Sequence, residues 1–145
     1  MRRALNITRK TVVAQNVEVA ATFWERLIGL IGRSNLKPGA GLLIEPCRSV
    51  HTFFMRFPID VIFIDGEGRV AGLIPEMKAF CLSGEYRNVE RALELPIGTI
   101  KASLTTLGDI VEFSEQPEVI KKFESPTTWR RPNSLHRWAD KHGTG

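Results

Sequence analysis

Two carboxylates stand where this chain is most apolar. Asp60 interrupts the run Ile59–Ile64, and Glu94 lies between Leu93 and Leu95. A carboxylate is rarely buried without a partner, so each is either a reactive group or a structural anchor. As a pair they suit acid/base work if their surroundings push their pKa values apart. As anchors, each meets an arginine (Arg26, Arg33 or Arg56) or accepts backbone N–H groups at a strand end, the commoner role for buried acids. Arg26 and Arg33, with Gly29 and Gly32 between them, have the chemistry to hold an anion through paired guanidinium contacts. The plainer alternative is a solvated helix face or a salt bridge to Asp60. Arg56, flanked by Met55 and Phe57, is either a rim residue or the partner of Asp60. Cys47, His51 and Cys81 raise a metal site or a cysteine nucleophile with His51 as its base. No Cys-x-x-Cys or His-x-x-x-His pair supports zinc. Residues four apart are neighbours on a helix, whereas 49–55 has strand character. No metal, cofactor or catalytic residue is assigned.

The stretch 51–65 positions most of these groups. Ile59–Ile64 is short and rich in β-branched residues, the pattern of a strand buried on both faces. Segment 49–55 reads as the strand before it, joined through Arg56-Phe57-Pro58. Pro58 holds Phe57 extended, with a trans peptide bond by base rate. Asp65-Gly66-Glu67-Gly68 is a hairpin turn leading into a strand over 69–74. Further strands are expected over 11–14, 41–44, 88–95 and 110–113, with a helical turn over 99–106. Segment 76–87 is read as an irregular loop. One helix is expected over 20–31, with Phe23, Leu27, Leu30 and Ile31 facing inward at helical spacing. Its two glycines imply close approach to the sheet or an early end at Gly32.

At 145 residues the chain amounts to one domain that needs no disulfides. Its net charge of +4 sits at the ends. Arg2, Arg3, Arg9 and Lys10 open the chain without an acid, and 125–145 holds four basic residues against Asp140. The region between is therefore slightly acidic, which argues against a nucleic-acid surface on the domain itself. Trp129 and Trp138 beside Arg130, Arg131 and Arg137 leave a nucleic-acid contact through the basic ends as a further alternative. No apolar stretch follows the first arginines, and Glu25, Arg26 and Arg33 interrupt the most apolar helical segment. Neither a signal peptide nor a membrane span is expected, and two cysteines make no disulfide framework. A reduced, cytoplasmic protein is the default.

The ordered pieces resemble the DUF192 family, also called UPF0127. They are Arg26-Leu27-Ile28-Gly29-Leu30-Ile31-Gly32-Arg33, Gly41-Leu42-Leu43, His51-Thr52, and Met55-Arg56-Phe57-Pro58-Ile59-Asp60 running on to Asp65. Glu94-Leu95-Pro96 with Gly98, and Gly108-Asp109, complete the match over roughly 7–115. The resemblance implies a compact β-rich domain with a short helix. It carries over no catalytic residues, because the family is one of unknown function.

The expectation is a mainly β, α+β-borderline single domain over 1–115, a sandwich or open barrel with one short N-terminal helix. A basic extension follows over 116–145. The favoured function is binding of a small ligand or protein partner in a pocket near Arg26, Arg33, His51, Met55, Arg56, Asp60 and Glu94. A hydrolase using Asp60 and Glu94 is the alternative enzyme.

Overall fold

The computed structural model describes residues 1–116, and the side chains of Phe23 and Leu27 lie outside that description, as does the basic extension beyond Gln116 with its tryptophans. Among these described residues seven strands form one curled sheet: β1 (Arg2–Asn6), β2 (Thr11–Ala20), β3 (Ala40–Ile44), β4 (Ile59–Ile64), β5 (Val70–Met77), β6 (Arg91–Pro96) and β7 (Val111–Glu115). Their order is β5-β4-β6-β3-β2-β1-β7, antiparallel except for the β2–β3 pair. The two edge strands meet at one corner, where the Val70 N–H donates to the Asp109 carbonyl at 2.8 Å and the Val111 N–H to that of Gly68 at 2.8 Å. The sheet is thus a half-closed barrel rather than a sandwich.

Period-2 alternation divides its side chains between two cores. All seven strands supply the inner one, through Ala4, Val17, Leu43, Ile62, Val70, Leu93 and Val111 among others. Gly41 faces this interior, and a Cβ there would stand 3.2 Å from Leu95 and 3.3 Å from Leu93. The outer core joins Leu42, Ile44, Val61, Phe63 and Ala92 to residues of a non-strand covering layer, Leu30, Val50, Met55 and Val89. Among the described residues two short helices complete the fold, α1 (Phe23–Ile28) and α2 (Thr99–Ala102).

Several expectations are corrected. A strand precedes the one expected over 11–14: Arg2 and Arg3 lie in β1, with Arg2 paired to Glu115 at 2.9 Å and to Glu45 at 3.5 Å. Strand β2 continues to Ala20, so the helix begins later than the hydrophobic spacing implied. Thr22 and Glu25 fix its start as a capping box: the Glu25 N–H donates to the Thr22 hydroxyl at 3.2 Å, and Glu25 accepts from the Thr22 N–H at 2.9 Å. The helix stops at Gly29, whose φ of 48° lies in the left-handed region. Segment 49–55 is not a strand. Thr52 pins it to the opposite loop, its hydroxyl donating to the Lys78 carbonyl at 2.6 Å and accepting from the Cys81 N–H at 2.9 Å. Phe54 then turns through a φ of 63°, and ladder pairing shrinks to one bridge, His51 to Leu82. The Phe57–Pro58 bond is trans; among the described residues the cis peptide is Glu45–Pro46. The Asp65 turn is as read, with its carboxylate accepting from the Glu67 and Arg69 N–H groups at 2.9 and 2.8 Å.

Candidate functional site

Asp60 and Glu94 are both buried, 1% and 2% exposed, but the sheet separates them. Asp60 pairs with Leu95 across β4 and β6, and Val61 pairs with Glu94. Neighbours along a strand point to opposite faces, so Asp60 lies with the inner core and Glu94 with the outer one. The two carboxyls do not flank a common cleft. An acid/base pair built from them is excluded by this register.

Asp60 is a staple. Its two oxygens accept from the Glu76 N–H at 3.0 Å and the Ile100 N–H at 2.8 Å. It therefore fastens the bend in β5 and the start of α2, whose Ile100 packs into the inner core. Both sequence alternatives for such an acid were open, an arginine or backbone N–H groups; backbone N–H groups are what it meets.

Glu94 faces the covering layer across a pocket of about 250 Å³. Arg26, Gly29 and Leu30 form one wall, Pro46 to His51 with Met55 another, and Ile44 and Glu94 the sheet floor. Gly29 brings the end of α1 so close that a Cβ there would lie 3.9 Å from Glu94 Oε2. Two buried polar atoms have no hydrogen-bond partner among the described residues, Glu94 Oε2 and His51 Nδ1, and both residues line this pocket. Burial pushes the Glu94 carboxyl up to about 8, against the opposing pull of the Arg33 charge. Its neutral acid form therefore prevails at pH 7. Burial also pushes up the Cys47 thiol, which donates to the Ser49 carbonyl at 3.0 Å. A thiol held protonated is a poor nucleophile.

Of the residues grouped from sequence, Arg26, His51, Met55 and Glu94 share this pocket, while Arg33, Arg56 and Asp60 do not line it. Arg33 is occupied by Glu18, at 2.7 and 3.3 Å. Arg56 is exposed beside the joint, so it is not the partner of Asp60. Cys47, Arg48 and Val50 also line the pocket; sequence reasoning weighed Cys47 only as a metal ligand or nucleophile, placed Val50 in a strand over 49–55, and did not single out Arg48. Proline at 46 and the Thr52 hydroxyl were the signals of an irregular covering segment. Among the described residues no three His, Cys, Asp or Glu side chains group closely enough to hold a metal ion.

The fold and site define a small half-barrel protein whose pocket lies on the outer face of its sheet, under a layer of irregular chain. By sequence it belongs to the DUF192 family, described as an uncharacterized group, whose model matches residues 4–113. A UPF0127 protein of Pyrococcus furiosus is 32% identical over 116 residues, covering 76% of this chain and 97% of that one. Two solved structures share the fold. One is a protein of unknown function from Novosphingobium aromaticivorans, with a TM-score of 0.67 and 20% identity, covering 77% of this chain and 82% of that one. The other, from Sinorhizobium meliloti, is described as a candidate transcription regulator, with a TM-score of 0.66, 22% identity, and coverage of 77% and 91%.

Proposed function

We propose that this protein is a binding module for a small molecule, and that the pocket between α1, the 46–51 segment and Glu94 is its binding site. The observation that carries this reading is that two residues lining one pocket, Glu94 and His51, each hold a buried polar atom, Oε2 and Nδ1, with no partner among the described residues. Buried polar groups are nearly always satisfied, so two in one pocket are what a ligand would complete. Leu30, Ile44, Val50 and Met55 supply the apolar surface that a small ligand needs. A reduced, cytoplasmic setting suits the two free cysteines.

A nucleic-acid role, suggested by the description of the Sinorhizobium relative, has less support. Arg2 and Arg9 at the basic N-terminus are committed to ion pairs with Glu45, Glu115 and Asp109. A thermal-shift screen with small anions, neutral amides and short peptides tests the binding reading. Some member should raise the melting temperature of the wild type, and Cys47→Phe, which fills the pocket, should abolish the rise. A panel that stabilises both proteins equally, or neither, sinks the proposal.

A further inference from the structure

We infer that the ligand is a small organic monocarboxylate, its carboxylate set against Arg26, His51 and the Glu94 carboxyl and its hydrocarbon part against Leu30, Ile44, Val50 and Met55. This rests on the pocket being a binding site at all. Two guanidiniums, Arg26 and Arg48, line the pocket. Arg26 makes no ion pair within 4 Å among the described residues; its Nη1 donates to the Ala21 carbonyl at 2.5 Å. Most of its five N–H donors are therefore available to an acceptor.

Among the described residues, the acid that lines the pocket is Glu94 alone. As a neutral acid it adds a hydroxyl donor rather than a negative charge, and His51 Nδ1 donates in the tautomer that carries its proton there. Donors from three side chains thus face a site with net positive charge. A carboxylate, which only accepts, satisfies them all; an ammonium group would meet two guanidiniums and an uncharged acid. The space is below the usual range for drug-sized ligands, which favours a few carbons over a nucleotide. Apolar walls favour a carbon chain over inorganic phosphate.

A pH dependence follows. The charged or titratable groups facing Glu94 are Arg26 at the end of α1, Arg33 beyond it, and Cys47, Arg48 and His51 from the covering segment. Its cross-strand neighbours, Leu42 and Val61, are apolar. Loss of the Glu94 proton replaces a donor by a negative charge, so carboxylate binding becomes linked to proton uptake above about pH 8.

The test is an NMR titration of the full chain with butanoate, butanamide, butylamine and inorganic phosphate at pH 6.5 and 9.5. Butanoate should shift the amides of Gly29, Leu30, Val50 and Glu94, and bind about thirtyfold more weakly at pH 9.5 than at pH 6.5. Glu94→Gln should remove that pH difference while binding persists. Arg26→Gln, on an exposed helix, should weaken butanoate about tenfold or more and leave butanamide unchanged. Preference for butylamine, butanamide or phosphate at the same amides overturns the monocarboxylate assignment and leaves the pocket reading intact. If none of the four shifts those amides, the pocket reading falls as well.

Discussion

Glu94→Gln should make the protein more stable, and increasingly so as pH rises. In the unfolded chain the Glu94 carboxyl ionises near 4.5, whereas in the fold it keeps its proton to about 8. Between those values the native state binds one more proton than the unfolded state. Stability therefore falls with rising pH by about 1.4 kcal/mol per pH unit from this group alone. It is full below pH 4.5, and the loss is complete above pH 8. Carried across the whole window the loss is about 5 kcal/mol, an upper bound because water entering the pocket solvates the carboxylate; about 2–3 kcal/mol is a realistic size. Glutamine has a similar shape and no charge, so it lacks this penalty. Urea denaturation of both proteins at half-unit steps from pH 4 to pH 9 isolates the effect, since all other titrations cancel in the difference. The two should agree closely at pH 4, and the variant should lead by at least 2 kcal/mol at pH 8. A difference that stays flat across the range would show that Glu94 ionises in the fold as it does in water, and the account of the pocket floor would be wrong.

Two further outcomes concern the staples. Asp60→Asn keeps one acceptor but turns an amide N–H toward one of the two backbone donors, so it should cost about 2–4 kcal/mol in urea unfolding. The inner core, not the pocket, bears that loss, so pocket binding by the folded fraction should be unchanged; weakened binding at full folding would contradict the separation of the two faces. Burial pushes the Asp109 carboxyl up, but its bonds to Asn6, the Thr106 N–H and Arg9, with the Arg9 charge, together outweigh that and hold it down at about 2. Its stabilisation is present above pH 3.8 and disappears as pH falls through 2, on the order of 1–2 kcal/mol. Asp109→Asn should flatten that part of the acid-unfolding curve, and an unchanged curve would refute the assignment.

Much of the sheet was legible because its strands obey local rules. Ile59–Ile64 is too short and too β-branched for a helix, and the Asp65 turn advertises itself by its carboxylate and glycines. Both buried acids were also visible as acids in apolar runs. Their relation was not. In the β4–β6 pairing, Asp60 opposes Leu95, and a slip of one residue would have set it opposite Glu94 on one face. Register is a long-range property that neither segment contains. The helix was overextended because Ala20 fits both the end of a strand and the start of an apolar helical stripe, and the Thr22–Glu25 capping box is the signal that separates them. The covering segment misled for a different reason: its phenylalanines have strand propensity, but Thr52 spends its hydroxyl on the facing loop, which breaks the ladder.

The half-closed barrel has an inner core fed by all seven strands and stapled by Asp60, and the pocket lies wholly outside it. The stapled core and the proposed binding pocket are thereby placed on opposite sides of one sheet. The covering layer holds most of the pocket wall, so its sequence is free to change without disturbing the barrel interior. Relatives that keep the Asp60 staple and the Gly41 contact but differ over 46–55 would then share a scaffold while differing in what they hold.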